Sequence, residues 1–175
     1  MDFLISPFEA VRDFMELGGT VLNFIAITIF AMWALIFERL IFFRTGLKKI
    51  GEEYRQNWAA RSERKSWSAR AVRDAMLSRF SLAANTWVPV VQTLVALCPL
   101  LGLMGTVTGM IEVFDVMALS GTGNARSMAS GVSKATIPTM AGMVGALSGV
   151  FLVTIITRTI ERNVEGLEED LELDY

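Results

Sequence analysis

Three stretches without a single Asp, Glu, Lys or Arg interrupt the chain, at 17–37, 81–111 and 135–157. A bilayer core is crossed by about 20 apolar helical residues, and each stretch is long enough. Buried helices of a water-soluble bundle would instead show polar residues every few positions on the side facing water. The pattern predicts an all-α membrane protein with three transmembrane helices and long cytoplasmic helical extensions. Outside the spans, apolar positions recur at helical spacing. Phe8, Val11, Phe14 and Met15 mark an amphipathic helix with Pro7 near its start and Gly18-Gly19 at its end. Ile50, Tyr54 and Trp58, then Val72, Met76, Phe80 and Ala83, give the first inter-span loop a helical pattern, with Ser62 and Ser66 as helix starts. A helix from Ser66 is expected to run unbroken into the second span. Ile160, Val164, Leu167 and Leu171 lay one apolar stripe on a charged C-terminal helix, read as packing between the two extensions. Ser120-Gly121-Thr122-Gly123-Asn124 reads as a turn, with Asn124 as an N-cap.

The expected organisation is an amphipathic helix over 1–19, a first span over 20–38 and a helical loop over 39–86. A second span follows over 87–111, then a connection and the start of the next helix over 112–134. A third span covers 135–157 and a C-terminal helix 158–175. Orientation follows from charge. The segment 38–80 holds eleven Lys and Arg against five acidic residues, and basic residues near span ends keep a loop on the cytoplasmic side. The N-terminus and the 112–134 connection are then outside, and the C-terminus inside, in agreement with Arg158 and Arg162 after the third span. Anionic lipid head groups account for the basic loop without nucleic acid.

Composition narrows the chemistry. Hydrophobic residues make up 53% and charged residues 19%, against about a quarter charged in a soluble domain; mean hydropathy is +0.46. The acidic start, Met1-Asp2-Phe3-Leu4, is not that of a secretory leader. Histidine is absent, which removes the commonest general base and transition-metal ligand. Cys98 is the lone cysteine, inside the second span, and reads as a small core residue. With no metal cluster and no nucleophile beside a base, neither an enzyme, a cofactor nor a metal site is predicted.

The second and third spans share an uncommon character. Each has a proline (Pro99, Pro138), threonines (Thr106 and Thr108; Thr136 and Thr139) and glycines three or four apart. Gly102, Gly105 and Gly109 stripe one; Gly142, Gly145 and Gly149 stripe the other. Such stripes let helix backbones approach where lipid gives no hydrophobic drive. Pro99 and Pro138 leave the carbonyls of Val95 and Lys134 without their helical donors, and the neighbouring hydroxyls are expected to meet freed carbonyls in a lightly polar seam. A proton relay in a membrane uses an ionisable residue, and the spans offer only hydroxyls. If protons pass here, the titrating group must come from another subunit; Glu112, Asp115 and Lys134 read first as solvated interfacial residues and alternatively as the lining of an entrance.

The run Gly102-Leu103-Met104-Gly105-Thr106-Val107-Thr108-Gly109-Met110 resembles the second-span signature of the ExbB/TolQ/MotA proton-channel proteins. Gly131-Val132-Ser133-Lys134-Ala135-Thr136-Ile137-Pro138-Thr139-Met140-Ala141-Gly142 resembles the start of that family's third, pore-lining span. The resemblance is close over about 85–160, and three spans in a short chain point to its ExbB/TolQ branch, ExbB first. It implies a homopentamer in the bacterial inner membrane around an ExbD-type single-span partner that carries the titrating aspartate. Thr106 and Thr139 would face that aspartate, with Thr136 and Lys134 along the same path. Lys134 departs from the glutamate frequent there and would sit at the pore edge, where it could attract a partner carboxylate. The work would reach a TonB-type protein that opens outer-membrane transporters for iron chelates or vitamin B12. The alternatives are a TolQ-like subunit of an envelope-maintenance complex and a passive membrane scaffold.

Overall fold

The computed structural model describes residues 2–120 and 125–172, and the side chains of residues 12, 15, 19–119 and 128–172. Four helices account for nearly all of them: α1 (Asp2–Ala59), α2 (Trp67–Asn85), α3 (Val88–Ser120) and α4 (Ala125–Asp170). Three segments are long and apolar enough to cross a membrane, within Gly19–Ala59, Trp67–Leu119 and Met128–Asp170. Only 28%, 22% and 28% of their most apolar windows is buried within the chain, so most of that apolar surface is left for lipid or neighbouring subunits. This is an all-α membrane protein. The turn expected at 121–124, with Asn124 as its N-cap, lies outside the described residues, as do the side chains of Phe8, Val11 and Phe14.

One compact unit comprises residues 1–33 and 93–150. Within it α1 bends at Gly19, whose φ of 65° and ψ of −161° are not helical. Glycine populates this region without the steric penalty a side chain would meet, so the Gly18-Gly19 pair ends the first helical segment where the sequence places it. Leu22, Ile25 and Met32 of α1 are buried in this unit with Val95, Cys98, Val113 and Ala135. α3 stays helical past Glu112 to Ser120 and α4 is already helical at Ala125, so both helices reach well into the 112–134 connection.

The second unit comprises residues 34–92 and 151–175. The C-terminal stripe packs inward here. Ile160, Leu167 and Leu171 are at most 4% exposed, alongside Leu47 and Trp58 of α1 and Phe80 and Ala84 of α2. Polar contacts clamp the end of α4. Arg73 of α2 donates to the carbonyls of Leu171 at 2.7 Å and Glu168 at 3.0 Å. Trp58 Nε1 donates to the carbonyl of Glu172 at 3.2 Å, and Arg55 pairs with Asp170 at 2.6 Å. The last carbonyls of a helix lack intrahelical donors and carry its negative dipole end, so a guanidinium suits that position. Ser66 is the N-cap of α2, accepting from the Ala69 amide, as its place before the apolar run predicts.

The expected unbroken helix from Ser66 into the second span is not formed. It stops at Asn85, and Trp87 adopts φ 67°, an uncommon conformation for a bulky residue, before α3 starts at Val88. The physical reason is Pro89, which has no amide hydrogen for the Asn85 carbonyl and is tolerated in the first turn of a new helix, where amides lack intrahelical partners. Side chains take over at the break: Thr86 Oγ1 donates to the Leu82 carbonyl at 2.9 Å, and Asn85 Nδ2 to that of Ser81 at 2.9 Å. Arg39 is the one buried charged side chain among the described residues, paired with Glu38 at 2.7 Å and stacked 4.6 Å from the centre of the Phe42 ring.

Candidate functional site

In the first unit α3 and α4 run antiparallel, and glycine decides how close they lie. A Cβ placed on Gly102 would stand 3.0 Å from both the Pro138 carbonyl oxygen and the Thr139 Cα. On Gly109 it would stand 2.6 Å from the Cβ of Ala135. Gly142 faces the carbonyl of Cys98, and Gly105 faces the Pro138 ring. Gly145 meets the Ile29 side chain of α1, and a Cβ on Gly149 would lie 2.5 Å from both Met32 Sδ of α1 and Val95 Cγ2 of α3. Each glycine is therefore spoken for by a neighbour, and the stripe on α4 serves two helices.

One hydroxyl bridges this seam. Thr139 Oγ1, half-buried on α4, donates to the Gly102 carbonyl of α3 at 2.9 Å. Thr106, one turn along α3 from Gly102, donates to Leu103 at 2.7 Å. Thr136 donates to Ser133 at 2.8 Å, and Thr108 to Met104 and Gly105, both at 3.1 Å. The expectation that these hydroxyls meet the carbonyls freed by the prolines is corrected. A helical threonine reaches back three or four residues on its own helix. From 136 that is Ser133 or Val132, and from 139 it is Thr136 or Ala135, so neither reaches Lys134. Thr139 crosses to α3 because Gly102 brings that backbone within range. The Cys98 thiol likewise bonds Leu94, at 3.3 Å, not Val95.

Lys134 is exposed. It lines a cleft of about 280 Å³ with Thr20 of α1, Thr108 and Glu112 of α3, and Pro138 of α4. Thr20 and Thr108 as cleft residues escaped the sequence reading. The signal that could have found Thr108 is the glycine register, since pairing Gly109 with Ala135 sets the neighbouring turn of α3 opposite 131–138.

No group of three or more His, Cys, Asp or Glu able to hold a metal ion occurs among the described residues. What the geometry defines is a multi-span helical membrane protein, its second and third spans joined along small residues and linked by the Thr139 hydroxyl. The chain belongs to the MotA/TolQ/ExbB proton channel family, whose model matches residues 38–169. It is similar to the candidate biopolymer transport protein ExbB-like 1 of Synechocystis sp., 36% identical over 90 residues covering 48% of this chain and 35% of that one. ExbB-like 3 of the same organism is 32% identical over 89 residues, covering 48% of this chain and 42% of its own length. The match thus spans well under half of each curated relative.

Proposed function

We propose that this chain is the proton-conducting motor subunit of an ExbB-type complex, which uses the proton motive force to energise TonB-dependent transport across the outer membrane. The observation that carries this reading is the state of the two seam hydroxyls. Thr139 and Thr106 each give their only proton to a backbone carbonyl, at 2.9 and 2.7 Å. A hydroxyl so engaged keeps only acceptor capacity. The seam then presents acceptors, which suit the protonated form of a carboxyl group on a partner helix. Hydrogen bonding to the neutral acid and removal from water both raise a carboxyl pKa, so a partner aspartate would be loaded with a proton beside these threonines and release it when moved away.

In this reading five copies surround an ExbD-type helix in the inner membrane. The N-terminus is periplasmic, the basic loop and C-terminus are cytoplasmic, and Thr136 and Lys134 lie along the path. The exposed apolar ridge of α3, formed by Leu100, Leu103, Val107, Ile111 and Phe114, supports both lipid and subunit contacts. The test is energised uptake in a strain without a paralogue. Thr139→Val with Thr106→Val should leave the complex assembled and abolish iron-chelate and vitamin B12 uptake. Normal uptake by the double variant would remove both roles, and detergent sensitivity on deletion with normal uptake would move the assignment to a TolQ-like complex.

A further inference from the structure

We propose that Glu112 is the group that loads protons into this path from the outer side. The inference rests on the proton-channel reading above and adds the entry residue to it. Three helices of the first unit bound the cleft of about 280 Å³. Its polar wall comes from Glu112 and Thr108 on α3, Lys134 on α4 and Thr20 on α1, and its lining continues to Gly105 and Pro138. Pro138 adjoins Thr139 in sequence and Gly105 lies one turn of α3 from Gly102, so the cleft ends beside the Thr139–Gly102 hydrogen bond. Liquid water occupies about 30 Å³ per molecule, so the volume takes several waters, and its polar wall supplies their partners. Protons can then pass from outer water to Glu112, and from it through water past Thr108 to the hydroxyl seam.

Glu112 is the only carboxylate lining the cleft among the described residues, and Lys134 the only other ionisable group there. α1 contributes Gly19, Thr20 and Val21, which carry no charge; Arg12, earlier on α1, and Asp115, on the next turn of α3, do not line it. Both Glu112 and Lys134 are exposed, so water reaches them.

The test uses the purified complex with its single-span partner in liposomes, reading proton influx with an entrapped pH dye as external pH is varied. Glu112→Gln is expected to lower influx by at least about tenfold, as loss of a proton-transfer group does, and to flatten its pH profile. Glu112→Asp should restore both. Unchanged rate and profile in Glu112→Gln overturn the inference, as does a rate lost equally in the Gln and Asp variants with an unshifted profile, which marks a structural role. A wild-type complex that passes no protons overturns the channel reading itself, and the inference with it. Conduction by wild type together with an indifferent Glu112→Gln removes the entry residue alone.

Discussion

A threonine that has given its proton to a carbonyl is a different chemical object from a free one, and Thr139 shows the difference most clearly. Its bond to Gly102 fixes the hydroxyl across two helices, so Thr139→Ser should keep the acceptor where Thr139→Val deletes it. We expect Ser to retain most proton influx and Val to lose it, measured side by side on complexes of matched assembly. A second residue-scale prediction concerns Glu63. Its carboxylate accepts from the Ser66 hydroxyl at 2.8 Å and the Ser66 amide at 2.6 Å. Those bonds, with Arg61 nearby, hold its pKa below the ordinary carboxylate value. A lowered folded pKa contributes stability that is present above the unfolded value and is lost as pH falls through the folded one. Acidification below the usual carboxylate range should therefore loosen the start of α2, seen as faster amide exchange at Ala69 and Arg70. Glu63→Gln should remove that pH dependence.

At the scale of elements, the spans and the capped start of α2 were legible because charge-free length and an N-cap before an apolar run are local signals. The glycine stripes were legible as close-packing positions, but not which helix each one meets. Gly149 receives Met32 of α1 and Gly102 receives the α4 backbone, and that choice depends on helix arrangement. The break at Trp87 was missed although Pro89 announces it. The continuous apolar pattern outweighed one proline, and no propensity predicts a tryptophan at positive φ. Trp87→Gly should relieve that conformation and stabilise the junction by about 1 kcal/mol, roughly the left-handed penalty of a residue with a Cβ. Thermal unfolding in detergent would show it as a raised midpoint. Arg73→Ala should cost about 1.5–3 kcal/mol, the range for hydrogen bonds to a charged group, and free the end of α4 to limited proteolysis. Gly109→Leu, with Ala135 already 2.6 Å from a bare Cβ, should separate α3 from α4 and prevent assembly of the complex.

On the scale of the whole molecule, the candidate site was only partly legible. Hydroxyls in charge-free spans pointed to a polar seam lacking its own titrating group, whereas the direction of each hydroxyl and the shared cleft of Glu112 and Lys134 needed the fold. Residues 22 positions apart on different helices line one cleft through the register that Gly105 and Gly109 set against Pro138 and Ala135. Family membership agrees with a conducting role, and the central claim is that the Thr139–Gly102 seam lies on the proton's route. The most direct measurement is the initial rate of proton entry into liposomes carrying this chain with the proposed single-span partner, under an imposed pH gradient and a potassium diffusion potential. The account predicts rapid entry with wild type and entry at the protein-free background rate with Thr139→Val. Equal rates for the two, in complexes of equal subunit content, would contradict it.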